Sequence, residues 1–182
     1  MREIEIKLKA RNLEEVEKTL NQKGCELSKP IQQHDTIYSK GGTGKEFLGG
    51  KEGDVIMRIR RMGNKAQFNL KQQCSREMDN IEYETVVEDP EAIHGILVAL
   101  GFQPSVEVKK VRRKGKLGEY EICLDQVEKL GTFIELEKMA ADDADVERVR
   151  EELFRELESL GLSRTDEETR GYDTQIYHLN LK

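Results

Sequence analysis

The sequence predicts an α+β fold, an eight-stranded antiparallel β-barrel with flanking α-helices. Three observations point there. Eight segments alternate polar and apolar residues with the period of a strand. The elements run β-α-β-β-β-β-α-β-β-β-α, with few of the long crossovers that parallel strands need. The intervening helices are amphipathic and need an apolar surface to cover, which the outside of a barrel supplies. Eight antiparallel strands can close around a lumen wide enough for one small ligand.

The first strand, Arg2–Lys9, sets Glu3, Glu5 and Lys7 on one face and Ile4, Ile6 and Leu8 on the other. The charged residues stand roughly 6.6–7 Å apart along the strand. Two carboxylates and an ammonium in a row suit a divalent cation bound beside a phosphate; they equally suit a solvated face. Asn12 then caps a helix with Glu15 three residues on; Leu13, Val16 and Leu20 form its stripe and Gly24 its stop. Gln33–Ser39 reads as the second strand. The stretch Lys40–Asp54 carries six glycines and reads as a mobile loop over a site or a long hairpin connection. Its Gly44-Lys45 pair is no phosphate-binding P-loop, because position 46 is Glu and no helix follows.

Val55–Met62 places Arg58 and Arg60 opposite Met57 and Ile59. Ala66–Gln73 sets Gln67, Asn69 and Lys71 opposite Ala66, Phe68 and Leu70, and Ile81–Glu88 sets Glu82 and Glu84 against Ile81, Tyr83 and Val87. Asp89-Pro90 opens a helix that runs to Gly101, with Ile93, Leu97 and Leu100 as its stripe. In Val106–Arg113, Lys110 and Arg112 share one face while Lys109 and Arg113 take the other. Glu119–Asp125 aligns Glu119, Glu121, Cys123 and Asp125, and Thr132–Lys138 aligns Glu135 and Glu137. A long helix from about Asp143 to Gly161 turns Val146, Val149, Leu153, Leu157 and Leu160 inward, and the tail 169–181 adds a short helical or extended segment. No linker-like composition divides the chain, so residues 1–182 read as a single domain.

The 182 residues are 36% charged and 36% hydrophobic, with a formal net charge of -6. Mean hydropathy is -0.71 and the pI about 5.3. That balance argues against a nucleic-acid-binding stripe. No apolar run approaches the ~18 residues of a membrane span, and the chain enters a strand at once, without a signal peptide. Three widely spaced cysteines argue against a disulfide framework, and neither they nor the three histidines show zinc-ligand spacing. The expectation is a cytoplasmic protein bound to neither nucleic acid nor membrane. Its oligomeric state is open, a homodimer being one option.

Alternation alone fits two arrangements, charges to solvent or charges to the lumen. The charged faces are uniform by strand (Arg-x-Arg, Lys-x-Arg, Glu-x-Glu), and burying them dry would carry a large desolvation penalty. A charged lumen must therefore be wet and hold a ligand complementing both signs, such as a polyphosphate with divalent cations.

The opening Glu3-Ile4-Glu5-Ile6-Lys7 resembles the ExExK signature of the CYTH superfamily, the triphosphate tunnel metalloenzymes that include class IV adenylyl cyclases and thiamine triphosphatases. It is followed in order by Gln33-His34-Asp35-Thr36-Ile37-Tyr38, Arg58-x-Arg60, Lys71, Glu82-x-Glu84, Lys110-x-Arg112 and the run Leu124 to Glu137. Arg170-Gly171-Tyr172 resembles the family's C-terminal Ser-Tyr motif, with Gly in place of Ser. The resemblance implies Glu3, Glu5, Glu135 and Glu137 as metal-binding acids for Mg²⁺ or Mn²⁺, in a two-metal site. It implies Lys7, Arg58, Arg60, Lys71, Lys110 and Arg112 as triphosphate contacts, and Glu82 and Glu84 as metal or supporting groups. Asp125, Lys110 and Arg112 are the candidates for a part in the chemical step. Two chemistries use such a site. In the cyclase, the ribose 3′-OH of ATP attacks the α-phosphorus; in the triphosphatase, water attacks the terminal phosphorus of thiamine triphosphate, inorganic triphosphate or a nucleotide. The Glu-Ile-Glu-Ile-Lys-Leu-Lys opening and the Leu-Asp-x-Val-x-x-Leu-Gly run look like the cyclase branch. A triphosphatase is the alternative, and a non-catalytic polyphosphate or nucleotide binder a further one.

Overall fold

The computed structural model of the chain describes residues 1–40 and 51–181. The strands are β1 (Arg2–Lys9), β2 (Ile31–Lys40), β3 (Val55–Met62), β4 (Lys65–Arg76), β5 (Asp79–Val87), β6 (Phe102–Leu117), β7 (Tyr120–Val127) and β8 (Gly131–Ala140). The helices are α1 (Leu13–Gln22), α2 (Pro90–Ala99), α3 (Val146–Ser159) and α4 (Tyr172–Asn180), with a 3-10 turn at Arg164–Asp166. The glycine-rich connection expected over 40–54 falls mostly on 41–50, outside the described residues.

The strands close into an antiparallel barrel in the order β1-β5-β4-β3-β2-β6-β7-β8. Only β1-to-β2 and β5-to-β6 leave the neighbouring strand, and these two connections carry α1 and α2. Local chemistry sets the helix starts. The Asn12 and Asp89 side chains accept from the backbone amides of the first turns of α1 and α2, and Pro90 supplies an N-terminal residue with no amide to satisfy.

The barrel is inside-out relative to an ordinary sheet. The outward residues of β1, β7 and β8 (Ile4, Ile6, Leu8, Ile122, Leu124, Ile134 and Leu136) pack with Val16 and Leu20 of α1 and with Val149, Leu153 and Leu157 of α3. A smaller group joins Tyr38, Met57 and Ile59 to Leu97 of α2. Each such side chain contributes about 1.5–3 kcal/mol when fully withdrawn from water. The helix stripes and the apolar strand faces thus bury one another outside the barrel, and the charged faces are left inside.

A third apolar group lies within the barrel. Ile37, Val106, Val108, Val127 and Phe133 pack against Tyr172 and Ile176, so α4 lies across one end of the lumen. Glu77, in the β4–β5 turn, holds that helix in place by accepting from the Gly171 amide (2.6 Å) and the Thr174 hydroxyl (3.2 Å).

Candidate active site

Strand register assembles the acids. In the β1–β8 ladder Glu5 stands opposite Glu137, and Lys7 opposite Glu135. Side-chain oxygens of Glu3, Glu5 and Glu137 all come within 4.8 Å of one another. Burial, reinforced by the neighbouring Glu135, pushes the Glu5 carboxyl up to about 7. Burial and the carboxylates of Glu3 and Glu5 push Glu137 well above the usual range. Glu3 is raised too, chiefly by burial, although Lys71 opposes it. Three hard oxygen donors that resist ionising together are the donor set a divalent cation relieves, so these residues fit a metal such as Mg²⁺ or Mn²⁺. Glu135 is engaged elsewhere. It bonds to Arg112, and the cations Arg112, Lys110 and Lys7 overcome its burial and hold it below the usual carboxylate range.

The cations face this acidic patch and are themselves held by carboxylates. Arg60 presents its fork to Asp35, with Nε–Oδ1 2.8 Å and Nη2–Oδ2 2.7 Å, and Arg58 Nη1 lies 3.6 Å from the same carboxylate. Lys71 bonds to Glu82 and lies 3.4 Å from Glu3. That ammonium and Arg58 outweigh the burial of Glu82 and lower its carboxyl to about 2. Arg112 Nε donates to Asp125 at 2.7 Å, and Lys110 Nζ reaches the same carboxylate at 3.1 Å. Burial and the adjacent Arg112 bring the Lys110 ammonium down to about 8, against the pull of Asp125. Lys7, only 1% exposed, sits with its Nζ over the Tyr172 ring.

These groups line a cavity of about 1110 Å³. Every residue singled out from the sequence borders it except Asp125, which lies behind Arg112 and Lys110 with both oxygens taken and no exposure. Glu84 stands at a more exposed position and accepts from Gln67. Sequence reasoning gave four lumen residues no firm part. Lys114 shares the strand parity of Lys110 and Arg112, which is the signal that finds it, and Asp35 stands opposite Arg60 in the β2–β3 ladder, a register that parity does not give. Glu121, divided in the sequence between site and balancing charge, points inward, with oxygens within 4.8 Å of Cys123 and Glu137. Glu119 instead pairs outside with Lys138. The fourth is Tyr172.

A closed antiparallel barrel whose lumen sets a carboxylate cluster against six cations defines a class of anion-handling, metal-fitted tunnels. The CYTH domain model matches residues 1–172, and the chain belongs to that family. A Methanocaldococcus jannaschii protein named "Putative adenylate cyclase" is 31% identical over 169 residues, covering 90% of this chain and 92% of that one. The structure of a Pyrococcus horikoshii protein superposes with a TM-score of 0.79 at 25% identity, covering 99% of both chains. A Hippeastrum protein, described as a "Putative adenylyl cyclase" that reveals a dominant triphosphatase activity, has a TM-score of 0.63 at 16% identity. That match covers 98% of this chain and 95% of the other, and shows the shared fold.

Proposed function

We propose that the lumen binds the triphosphate of ATP with Mg²⁺ or Mn²⁺ and converts the nucleotide to cyclic AMP and pyrophosphate. The observation that carries this reading is the juxtaposition, inside one barrel, of the Glu3–Glu5–Glu137 cluster with Lys7, Arg58, Arg60, Lys71, Lys110 and Arg112. A triphosphate with divalent cations complements both signs, whereas neither half fits an uncharged ligand. The form of the motifs and the name of the Methanocaldococcus jannaschii relative favour the cyclase.

In the reaction the O3′–Pα bond forms, the bond from Pα to the pyrophosphate oxygen breaks, and the hydroxyl proton passes to solvent water as pyrophosphate departs. Glu3, Glu5 and Glu137 would hold the cation, with Glu121 beside Glu137 for a second. Such an ion supplies a lower hydroxyl pKa and neutralises charge on the leaving group. Arg58 and the Nη1 groups that Arg60 and Arg112 keep free of their Asp35, Asp125 and Glu135 bonds would donate to phosphate oxygens, and Lys7, Lys71 and Lys110 present point charges. Asp35, Asp125 and Glu82 keep those cations aimed before any ligand arrives, so little reorganisation is left for the reaction itself. Asp125, with its oxygens already committed, acts as a positioning residue for Arg112 and Lys110.

One observation favours a second reading, hydrolysis of a terminal phosphoryl group. Among the described residues the only aromatic side chains bordering the cavity are Phe102 and Tyr172, and the Tyr172 ring already carries two ammonium groups. A base clamp is therefore thin, while the phosphate-binding apparatus is full. The Hippeastrum protein, with the same fold, is described as dominantly a triphosphatase. Incubation with ATP and Mn²⁺, resolving cyclic AMP plus pyrophosphate from ADP plus phosphate, decides between them. Phosphate without cyclic AMP sinks the cyclase, and tight ATP binding with no product over hours identifies a binding module.

A further inference from the structure

Helices α1 and α3 cover the barrel with an apolar stripe and turn charge outward, Glu14 and Lys18 on the first, Glu151, Arg155 and Glu158 on the second. Helix α2 does not. Between Ala92 and Leu100 it holds no Asp, Glu, Lys or Arg. Its inner side sets Leu97 and Ile93 against the barrel and turns His94 to the Tyr38 hydroxyl, 2.9 Å away. The outer side carries Ala92, Gly95, Ile96 and Ala99, all exposed, with Ile96 at 53%. Their spacing of i, i+3, i+4 and i+7 makes them one continuous stripe. Leu100 (63% exposed) ends the helix. Tyr83 (66% exposed) stands opposite Leu70 on the outer face of β5 and extends the apolar surface, since Leu70 packs into the same group as Leu97. A helix apolar on every side is normally covered on every side, and a contiguous exposed patch of this kind marks an interaction surface.

We propose that this face is the contact between two copies of the chain, related by a two-fold axis, with their α2 helices packed antiparallel. An antiparallel pair centred between Gly95 and Ile96 sets Ala92 opposite Ala99 of the second copy. It also sets Ile96 opposite the other Gly95, large over small in both directions, as a two-fold contact requires. Nothing within one copy calls for glycine there. Glycine weakens a helix interior relative to alanine, and a Cβ added at Gly95 would meet nothing within 4 Å. The charges favour the same direction. The N-terminal end of α2 is acidic, with Asp89 as its cap, Glu91 bonded to Arg61 and Glu88 exposed beside them. The C-terminal end carries exposed Lys40, whose Nζ lies 5.9 Å from the Phe102 ring centroid. Antiparallel pairing brings Glu88 of each copy toward Lys40 of the other, whereas parallel pairing sets like ends together. A ten-residue helix is about 15 Å long, so the contact, even with Tyr83, stands at the small end of stable interfaces. The association should accordingly be about micromolar. Nothing in this contact depends on what the lumen binds.

Sedimentation velocity of the full chain from about 1 to about 200 µM tests it. Wild-type protein is expected to pass from the 21.0 kDa monomer to a species of twice that mass, with half-conversion at about 10 µM. Ile96→Lys and Gly95→Gln should each stay monomeric throughout, a loss of at least about 20-fold in affinity. Gly95→Gln should melt at or above the wild-type temperature when both are dilute, because its side chain enters open space on a helix; that result separates a lost contact from a lost fold. Glu88→Lys and Lys40→Glu should each weaken the dimer by about threefold or more, and the two combined should return it to within about twofold of wild type. A wild type that stays monomeric at about 200 µM assigns the face to another occupant and overturns the proposal. So does a dimer that survives both α2 variants, or an assembly larger than two. A double charge reversal no stronger than the single ones overturns the antiparallel arrangement.

Discussion

Glu5 and Glu137 face each other directly across the β1–β8 ladder, both turned into the lumen, with no cationic residue between them in register. Like charges directly opposite weaken a strand pair. The fold therefore carries a local repulsion that a cation would turn into an attraction. At pH 8, Glu137→Gln should raise the melting temperature of the cation-free protein by about 2–4 °C, the shift that ~1 kcal/mol produces at this size. It should also remove most of the stabilisation that Mn²⁺ gives the wild type, and lower turnover by at least about 100-fold. A variant that melts lower without metal and keeps its Mn²⁺ response would show that the pair is not a cation site.

Metal binding should be coupled to protons. Burial and neighbouring carboxylates raise Glu5 to about 7 and raise Glu3 and Glu137, so the cation-free cluster retains protons at neutral pH. A cation binds the ionised forms and must displace them. Apparent affinity for Mn²⁺ should accordingly rise with pH through about 7. Without metal, the sign for stability is the reverse. The folded state binds more protons than the unfolded between about 4.3 and 7, so Glu5 makes the cation-free fold less stable as pH rises across that window. Calorimetry in two buffers of different ionisation enthalpy checks the first point. Enthalpies that do not depend on the buffer would mean no proton is released.

Much of this arrangement was legible in the chain because strand parity is a strict code. The alternation in Arg2–Lys9 separates Ile4, Ile6 and Leu8 from Glu3, Glu5 and Lys7, and the structure buries the two sets on opposite sides of the barrel wall. Parity cannot say which side is the lumen; the resemblance at Glu3-Ile4-Glu5-Ile6-Lys7 did that. Nor does parity give cross-strand register. The expectation that Glu135 and Glu137 would both meet Glu3 and Glu5 divides for that reason. Glu137 stands opposite Glu5, while Glu135 stands opposite Lys7 and bonds Arg112. Tyr172 was the least legible. Its place depends on a helix docking across the end of the barrel, a long-range contact with no local period in the sequence.

Lys110 should impose a pH limit on triphosphate binding. Burial and Arg112 lower its ammonium to about 8 from an ordinary 10.5. Below pH 8 the cation is present for a phosphate oxygen; above it, binding must take up a proton. Tripolyphosphate affinity should fall as pH rises from about 8 to 10, by at most about tenfold per pH unit from this one group. Lys110→Met should bind more weakly at pH 7 and lose this component of the pH dependence, while keeping the part that arises from the ligand's own ionisation. Parallel pH profiles for the two proteins would place the titration elsewhere.

Asp35 should govern acid stability. Its carboxylate is 2% exposed, and Arg58 and Arg60 overcome its burial to hold its pKa below the usual range. For a depressed acid, the stabilisation is complete above the unfolded value of about 4 and is lost as pH falls through the folded value. Asp35→Asn keeps the shape but leaves the Arg60 guanidinium buried without its counter-charge, a change that costs about 3–5 kcal/mol in comparable buried pairs. The variant should therefore be markedly less stable than wild type at pH 7. The gap should narrow below about pH 4, where the unfolded wild-type carboxylate takes up a proton while the folded one stays ionised, so that the stabilisation declines as pH falls toward the folded value. Urea unfolding at pH 7, 5 and 3 measures it. A gap that stays constant across these values would mean that packing, and not the ion pair with Arg60, is what Asp35 contributes.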